Sequence, residues 1–516
     1  MSKLIVGTLK KLVTRNYEKI STFIFIFSFH SQVKNSSFSY FNLNTTYKKV
    51  QHSAIQPYLE SHQLQPDTNN VKYKKKILNK LFSESLLDVV DDEAHLKLDP
   101  LFNFSLGPRN NELNYRYYSN VRGLKISGDL GSNLSFETRF YENQFFYADY
   151  LREKSDLRSN PSMGVDGIAF GLGRSKRFKN YGNDASLANG YLSFSPNKHL
   201  NFQIGHGRHF FGNGYRSHLI SDYAPDYPYL SGQYYLFKNK LLYKHVTAWM
   251  RNLNRIPAAS TPEALFVPKS FSFNQLSFSP NDKLSIAIFE GGIYKMFDIQ
   301  NDNISPSFSF YSPIIGSKFF DIDSTNNIMY GINWSYKILD NIMIYNQIPV
   351  NLTNALYGFQ LGLKWCNPFK LDNSFLNFEW NSSPPGMYSM KRLQRYQTYS
   401  HLGHELAHPL GSGFQEFLII GQFSKERLFL RFNYNFSLSM NNYNENEVFE
   451  ANEDLLFSVR DDNYRHFLSS SVGLFLNSSS KMEIALGYTS RITNYSNENY
   501  FSISWRTYLK NDYFDQ

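Results

Sequence analysis

Residues 404–408 read HELAH, a spacing that could hold zinc. In a zincin two histidines at i and i+4 share one helix face and bind the metal, while the intervening glutamate activates the bound water. Here His404 and His408 would be the ligands and Glu405 the base, and Gly411 extends the pattern to HExxHxxG. Phe414 then stands where a third histidine ligand would be. The backbone speaks more strongly against the site than the missing ligand does. Pro409 follows His408 directly, and a proline ring pushes the residue before it out of the right-handed helical region. Gly403, Pro409, Gly411 and Gly413 give the stretch the composition of a loop. The expectation is therefore no catalytic residue and no metal, with a zinc metalloprotease as the alternative.

Other patterns carry less chemistry. Gly205, Gly207, Gly212 and Gly214 lack the GxGxxG spacing that opens a nucleotide-binding helix, so tight turns and close strand approach account for them better. No Gly-x-Ser-x-Gly elbow occurs, which leaves a hydrolase without a visible nucleophile. His206 and His209 are expected on opposite sides of a strand end. No cofactor is implied.

The bulk composition narrows the class. Aromatic residues make up 17% of the 516, with 46 Phe and 37 Tyr against 5 Trp, yet the mean hydropathy is −0.43. Much aromatic surface is thus interleaved with polar residues. No run approaches the ~20 apolar residues of a membrane helix. Lys3, Lys10, Lys11, Arg15 and Lys19 precede the apolar stretch ISTFIFIFSF, a signal-peptide pattern expected to occupy residues 1–31. Removing it takes away five basic residues and one acidic residue, so the net charge falls from +9 to +5. Apart from VKYKKK the basic residues are dispersed, and no nucleic-acid face results. Cys366 is the single cysteine, so no internal disulfide framework is possible.

Downstream, the elements resolve into one helix and many strands. Apolar residues three and four apart from Val71 to Val90 predict a helix in an N-terminal segment, 32–95, whose earlier part looks irregular. From residue 96 to 516 apolar and polar residues alternate. In LSFETRFY one face carries Leu134, Phe136, Thr138 and Phe140, and the other Ser135, Glu137, Arg139 and Tyr141. In LFLRFNYNFSL the apolar face runs Leu428, Leu430, Phe432, Tyr434, Phe436, Leu438. Segments of about ten residues joined by short turns suit an outer-membrane barrel, because only helices and closed sheets satisfy every backbone group inside hydrocarbon. The fold class expected is all-β, a transmembrane antiparallel barrel of about 18 strands with a wet, polar lumen. A soluble propeller would also alternate, but its repeat of ~40–50 residues is missing.

The stretch FQIGHGRHFFGNGYRSHLISDYAPDYPYL, together with LDPLFNFSLG, FETRFYENQFFYADY and AHPLGSGFQEF, resembles the Wzi family of capsule-assembly outer-membrane barrels, particularly the Bacteroidota relatives that include the gliding-motility protein RemB. The matching positions are Gly212, Gly214, Arg216, Ser217, Leu219, Ser221 and Asp222, followed by His408, Pro409 and Gly411, with His218 and Tyr223 as departures. The resemblance covers about residues 75–510. It implies an outer-membrane protein with helices on the periplasmic side, which would make 32–95 a periplasmic segment, and one that binds surface polysaccharide without catalysis, in capsule attachment or in gliding. Its partners would be outer-membrane lipid, the polysaccharide and gliding or secretion machinery. A diffusion porin is a further alternative.

Within this frame Arg208 and Arg216 would either bind acidic sugars or pair with Asp222 or Asp226, and pairing is expected, since charges in a polar interior neutralise one another. Tyr223, Tyr227 and Tyr229 surround two prolines. Exposed on a stiff loop they would suit stacking on sugar rings, or else they would be girdle residues at the membrane interface.

Overall fold

The computed structural model describes residues 33–35, 52–56, 59–61 and 76–516, except 111–112, 158–165, 256–265, 297–303, 323–324, 391–395, 441–463, 478–479 and 508–511. The signal peptide expected at 1–31 lies outside the described residues. Eighteen strands form one closed antiparallel barrel. They are β1 (Ala94–Asn110), β2 (Tyr115–Leu130), β3 (Leu134–Phe146), β4 (Gly182–Asn197), β5 (Leu200–Gly207) and β6 (Tyr227–Leu236). There follow β7 (Leu241–Arg255), β8 (Phe266–Phe278), β9 (Leu284–Lys295), β10 (Asn327–Leu339), β11 (Ile342–Asn351) and β12 (Phe359–Cys366). The wall is completed by β13 (Ser374–Ser383), β14 (Phe414–Lys425), β15 (Leu428–Ser439), β16 (Tyr464–Asn477), β17 (Met482–Thr493) and β18 (Asn497–Arg506). Closure is made by β18 on β1, with Ile503 opposite Leu106 and Arg506 opposite Asn103.

Alternation decides which side each residue faces. On β15 Leu428, Leu430 and Leu438 are exposed on the outer wall, while Phe429, Arg431, Asn435 and Ser437 are buried inside. On β3 Phe140 is exposed and Ser135 and Tyr141 are buried. This is the inside–outside division that the period of two predicts.

Connections sort by end. The turns 131–133, 198–199, 237–240, 279–283, 340–341, 367–373, 426–427 and 480–481 share one end of the barrel, and the long connections leave from the other. The helix lies at the short-turn end and stops before the residue 90 expected, while 71–75 of the expected helix lie outside the described residues. It spans Lys76–Phe82, after which Leu87–Val90 pairs with β1, Leu87 opposite Leu98 and Val90 opposite His95. Leu86, Val89 and Val90 had the spacing of a helix, but the β-branched pair suits a pleated surface and its pairing partner lies only a few residues on. Asn477 satisfies the carbonyls of Lys80, Leu81 and Glu84, which a helix end leaves without intrahelical partners.

The lumen is filled by chain, which corrects the wet interior expected from the alternation. Residues 52–56, 208–226, 384–390, 396–413 and 512–516 all fold inward. Their apolar side chains, including Ile55, Phe211, Leu219, Tyr399 and Leu406, pack against Val246, Phe271, Phe273 and Phe289 of the wall in one buried cluster. A second cluster holds the helix Asp149–Leu157 through Tyr150 and Leu151 against Leu101, Val121 and Phe467. Part of the chain's aromatic content therefore lies inside. The chain after β18 also turns inward, so Tyr513 and Gln516 are buried instead of extending the closing strand.

Candidate functional site

Arg208, Gly212, Gly214, Arg216, Ser217, Asp222 and Tyr223 lie on residues 208–226, every one of which is buried except Arg208, which is half-buried, while Tyr227 and Tyr229 stand on β6 and His408, Pro409 and Gly411 on the inward segment 396–413. Two glycines let this segment approach the wall. Gly212 has φ 143°, and a Cβ there would lie 2.9 Å from the Gln347 amide nitrogen. At Gly214 a Cβ would lie 2.5 Å from a Glu379 carboxylate oxygen. That closeness lets Glu379 accept the backbone N–H groups of Tyr215 at 2.7 Å and Arg216 at 3.1 Å.

Arg216 is the centre of the plug. Its guanidinium donates to both oxygens of Glu416, at 2.9 and 3.2 Å, and to Asp515 at 2.9 Å, with the rings of Tyr215 and Tyr513 against it. Burial opposes the charge, but the carboxylates of Asp515 and Glu416 outweigh it and hold Arg216 well above the ordinary guanidinium value. The partners expected for Arg216 were Asp222 or Asp226. The structure instead supplies carboxylates from β14 and from the tail, because the segment's path carries Arg216 across the lumen toward β13 and β14. Arg208 does pair with Asp226, at 2.6 Å, and also donates to the carbonyls of Asp222 and Gly171. Burial raises Asp226 and Arg208 overrides it, so the carboxyl lies below its usual range.

His408 adds a second arm. Its Nε2 donates to Glu416 at 2.8 Å and its Nδ1 accepts the Leu410 N–H at 3.1 Å, the pattern of a neutral ring. Burial lowers its pKa further than the neighbouring carboxylate raises it. Pro409 and Gly411 shape the turn that holds it, with the Gly411 N–H closing onto the His408 carbonyl at 2.9 Å and φ 68° at Gly411. Ser217 orders the other strand of the plug: its hydroxyl donates to the Phe211 carbonyl at 2.6 Å and accepts from the N–H groups of Leu219 and Ile220. Asp222 accepts a hydrogen bond from the Tyr513 hydroxyl.

The three tyrosines are not presented on a loop surface. Tyr223, Tyr227 and Tyr229 are 3, 0 and 4% exposed. Tyr223 donates to Gln516, Tyr227 meets His209 Nδ1 at 3.1 Å, and Tyr229 donates to Gln203 at 3.3 Å. Both stacking on sugar and a place in the interfacial girdle need exposure, and the inward fold of their segment removes it. His206 and His209 do part as expected, His206 reaching the Ala188 carbonyl and His209 turning into the lumen.

HELAH is not helical. His404 and Glu405 form a two-residue strand opposite Ser400 and His401. His404 bonds the Leu402 carbonyl at 2.9 Å through Nδ1 and accepts the Gly171 N–H at 3.2 Å through Nε2, whereas His408 is committed to Glu416. The two imidazoles serve different neighbours. Both oxygens of Glu416 are taken up, by Arg216, His408, Asn381 and Asn435. The arrangement locks buried segments together; it does not hold a base beside a nucleophile.

Glu379, Glu416 and Asp515 were not singled out from sequence. Glu379 had a signal in the inward set Asn377, Glu379, Asn381 of β13, an acidic residue at an interior position between two amides. Nothing local marked Asp515.

No protein-family profile and no curated protein sequence matches the chain. Among solved structures it is similar to Wzi of Escherichia coli, an outer-membrane protein involved in group 1 capsule assembly and a carbohydrate-binding β-barrel. That likeness has a TM-score of 0.51 and 11% identity over 80% of this chain and 84% of the other. It is also similar to OprD of Pseudomonas aeruginosa, with a TM-score of 0.42, 9% identity and coverage of 80 and 94%, and to OccAB2 of Acinetobacter baumannii, with 0.42, 10%, and 81 and 98%. The chain thus has a fold that Wzi of Escherichia coli shares, a closed antiparallel β-barrel, built here from 18 strands around an inward-folded plug.

Proposed function

We propose that this protein is an outer-membrane barrel that holds polysaccharide at the cell surface without catalysis. The filled lumen carries this reading. Segments 208–226, 384–390, 396–413 and 512–516, joined through Arg216, Glu416, His408 and Asp515, occupy the lumen that a diffusion porin keeps open. Short turns at one end and long connections at the other match the periplasmic and outer faces of such barrels. The helix Lys76–Phe82 then belongs to the periplasmic side, and the glycan belongs on the long-loop face. Wzi, with its carbohydrate binding and its role in capsule assembly, supports that choice of ligand, as do the motif positions from Gly212 to Asp222 and from His408 to Gly411. Attachment of capsule is the primary role; in a RemB-like setting the same anchor would work with gliding or secretion machinery. Arg208, Arg216, Tyr223, Tyr227 and Tyr229 then act behind the glycan surface by fixing the plug.

The test is binding of the cell's own purified, fluorescently labelled surface polysaccharide to the detergent-solubilised protein. Saturable binding that unlabelled polysaccharide displaces is expected. Binding no stronger than to an unrelated plugged barrel would defeat the proposal.

A further inference from the structure

One stretch of the outer wall breaks the apolar belt. On β7 to β10 the residues whose neighbours face the lumen include His245, Asn274, Glu290 and Tyr330. They stand directly opposite one another across the four strands, His245 to Asn274, Asn274 to Glu290 and Glu290 to Tyr330. The lumen-facing neighbours Val246, Phe273, Phe289 and Met329 lie in the interior cluster, so this row points outward. Apolar residues flank it along the belt. On one side Phe202 and Ile204 are 48 and 57% exposed, and one pair below lie Ile288 and Ile332 at 38 and 49%. A carboxylate left bare there would face hydrocarbon, where an unpaired charge is costly.

Residues 304–322, from the connection between β9 and β10, cover the row. Glu290 is 0% exposed: its oxygens accept from Asn274 at 2.6 Å, from the Tyr330 hydroxyl at 2.7 Å and from the Gly316 N–H at 2.6 Å. Lys318 donates to Ser272 at 2.9 Å and to the Ser309 carbonyl at 3.1 Å, and Phe319 stacks on Tyr330 at 4.4 Å. The segment closes part of its own backbone in the helical turn Phe308–Tyr311 and the 3₁₀ turn Ser317–Asp321. Its other side is apolar: Phe308, Tyr311, Ile314, Phe319 and Phe320 are 80, 57, 66, 54 and 92% exposed.

We infer that residues 304–322 are a strap lying on the outside of the barrel, with this aromatic side in contact with the acyl chains of the surrounding lipid. The hydrogen-bonding groups turn to the wall, where Phe310 also packs on Tyr294, while large apolar side chains turn away from it, the reverse of a water-exposed loop, and belt residues Ile288 and Ile332 stand at the next outward positions from Glu290 and Tyr330. A contiguous apolar patch of this kind marks a contact surface, and the belt identifies the contact as lipid. The inference rests on the membrane-spanning reading of the barrel.

The test uses the unmodified protein in vesicles carrying a phospholipid with a photoactivated diazirine in its acyl chain, followed by tryptic digestion. Cleavage at Lys283, Lys295 and Lys318 gives fragment 284–295, which holds belt residues Ile286 and Ile288, and fragment 296–318, which holds Phe308, Tyr311 and Ile314. Lipid label on both fragments is expected, with 296–318 labelled at least as heavily as 284–295. Label on 284–295 without label on 296–318 overturns the strap and leaves the membrane reading standing. Absence of label from both overturns the strap together with the membrane reading.

Discussion

Arg216 and Glu416 meet through two hydrogen bonds, of 2.9 and 3.2 Å, in the middle of the lumen with neither side chain exposed to solvent. They come from a connection and from a wall strand 200 residues apart in the chain. Removing one partner of such a buried pair leaves the other charge uncompensated, a loss of about 3–5 kcal/mol. Arg216→Met should therefore lower the temperature at which the folded band converts to the unfolded band in a gel. Arg216→Met with Glu416→Leu should recover part of the loss, since of the two carboxylates that lose the guanidinium only Asp515 then remains. Equal loss in the single and double variants would contradict the lock.

Gly214 predicts a steric effect at the same place. A Cβ at 2.5 Å from the Glu379 carboxylate forces the segment off the wall, so Gly214→Ala should destabilise by about 1–3 kcal/mol, the usual range for overpacking. The same gel conversion measures it, and no change would mean that the segment sits further from β13.

The histidines of the plug set a pH dependence. His218 and His401 are pushed down to about 3, chiefly by burial; a proton on His218 would also be opposed by one on the neighbouring His408 ring, and the Lys269 ammonium opposes one on His401. In the unfolded chain each titrates near 6.5. Between those values only the unfolded state takes up the proton, so stability is fully present above pH ~6.5 and falls as pH drops toward 3, by at most ~1.4 kcal/mol per unit for each histidine. The gel conversion temperature should fall from pH 7 to pH 5. In His218→Gln with His401→Gln the fall should be smaller, and an unchanged slope would assign the dependence to other groups.

The tail makes its own prediction. Residues 512–516 bring Asp515 to Arg216, Tyr513 to Asp222 and Gln516 to Tyr223. In planar bilayers the intact protein should conduct little, and deletion of 512–516 should raise the conductance. A wide, stable channel in the intact protein would remove the plug and favour a porin.

How far these features could be read in the sequence depended on the range of the forces involved. The strands were legible because alternation is local: the faces assigned to β3 and β15 from LSFETRFY and LFLRFNYNFSL are those of the barrel. The helix was legible only in part, since Leu86, Val89 and Val90 keep a helical spacing while Leu96 and Leu98 offer them a sheet. The site itself was not legible beyond Arg208 with Asp226, which are 18 residues apart. Arg216 finds Asp515 across 299 residues, and the tyrosines lose their exposure to an inward fold that no local pattern marks. HELAH misled for the converse reason, because a motif states spacing and the backbone decides geometry.

The central claim is that this plugged barrel keeps polysaccharide on the cell surface. The most direct measurement is the amount of surface polysaccharide on cells against that released into the medium, with and without the gene. Release on loss of the protein, reversed when it is restored, is the predicted result. Unchanged retention, with the protein folded in the outer membrane of the control cells, would contradict it.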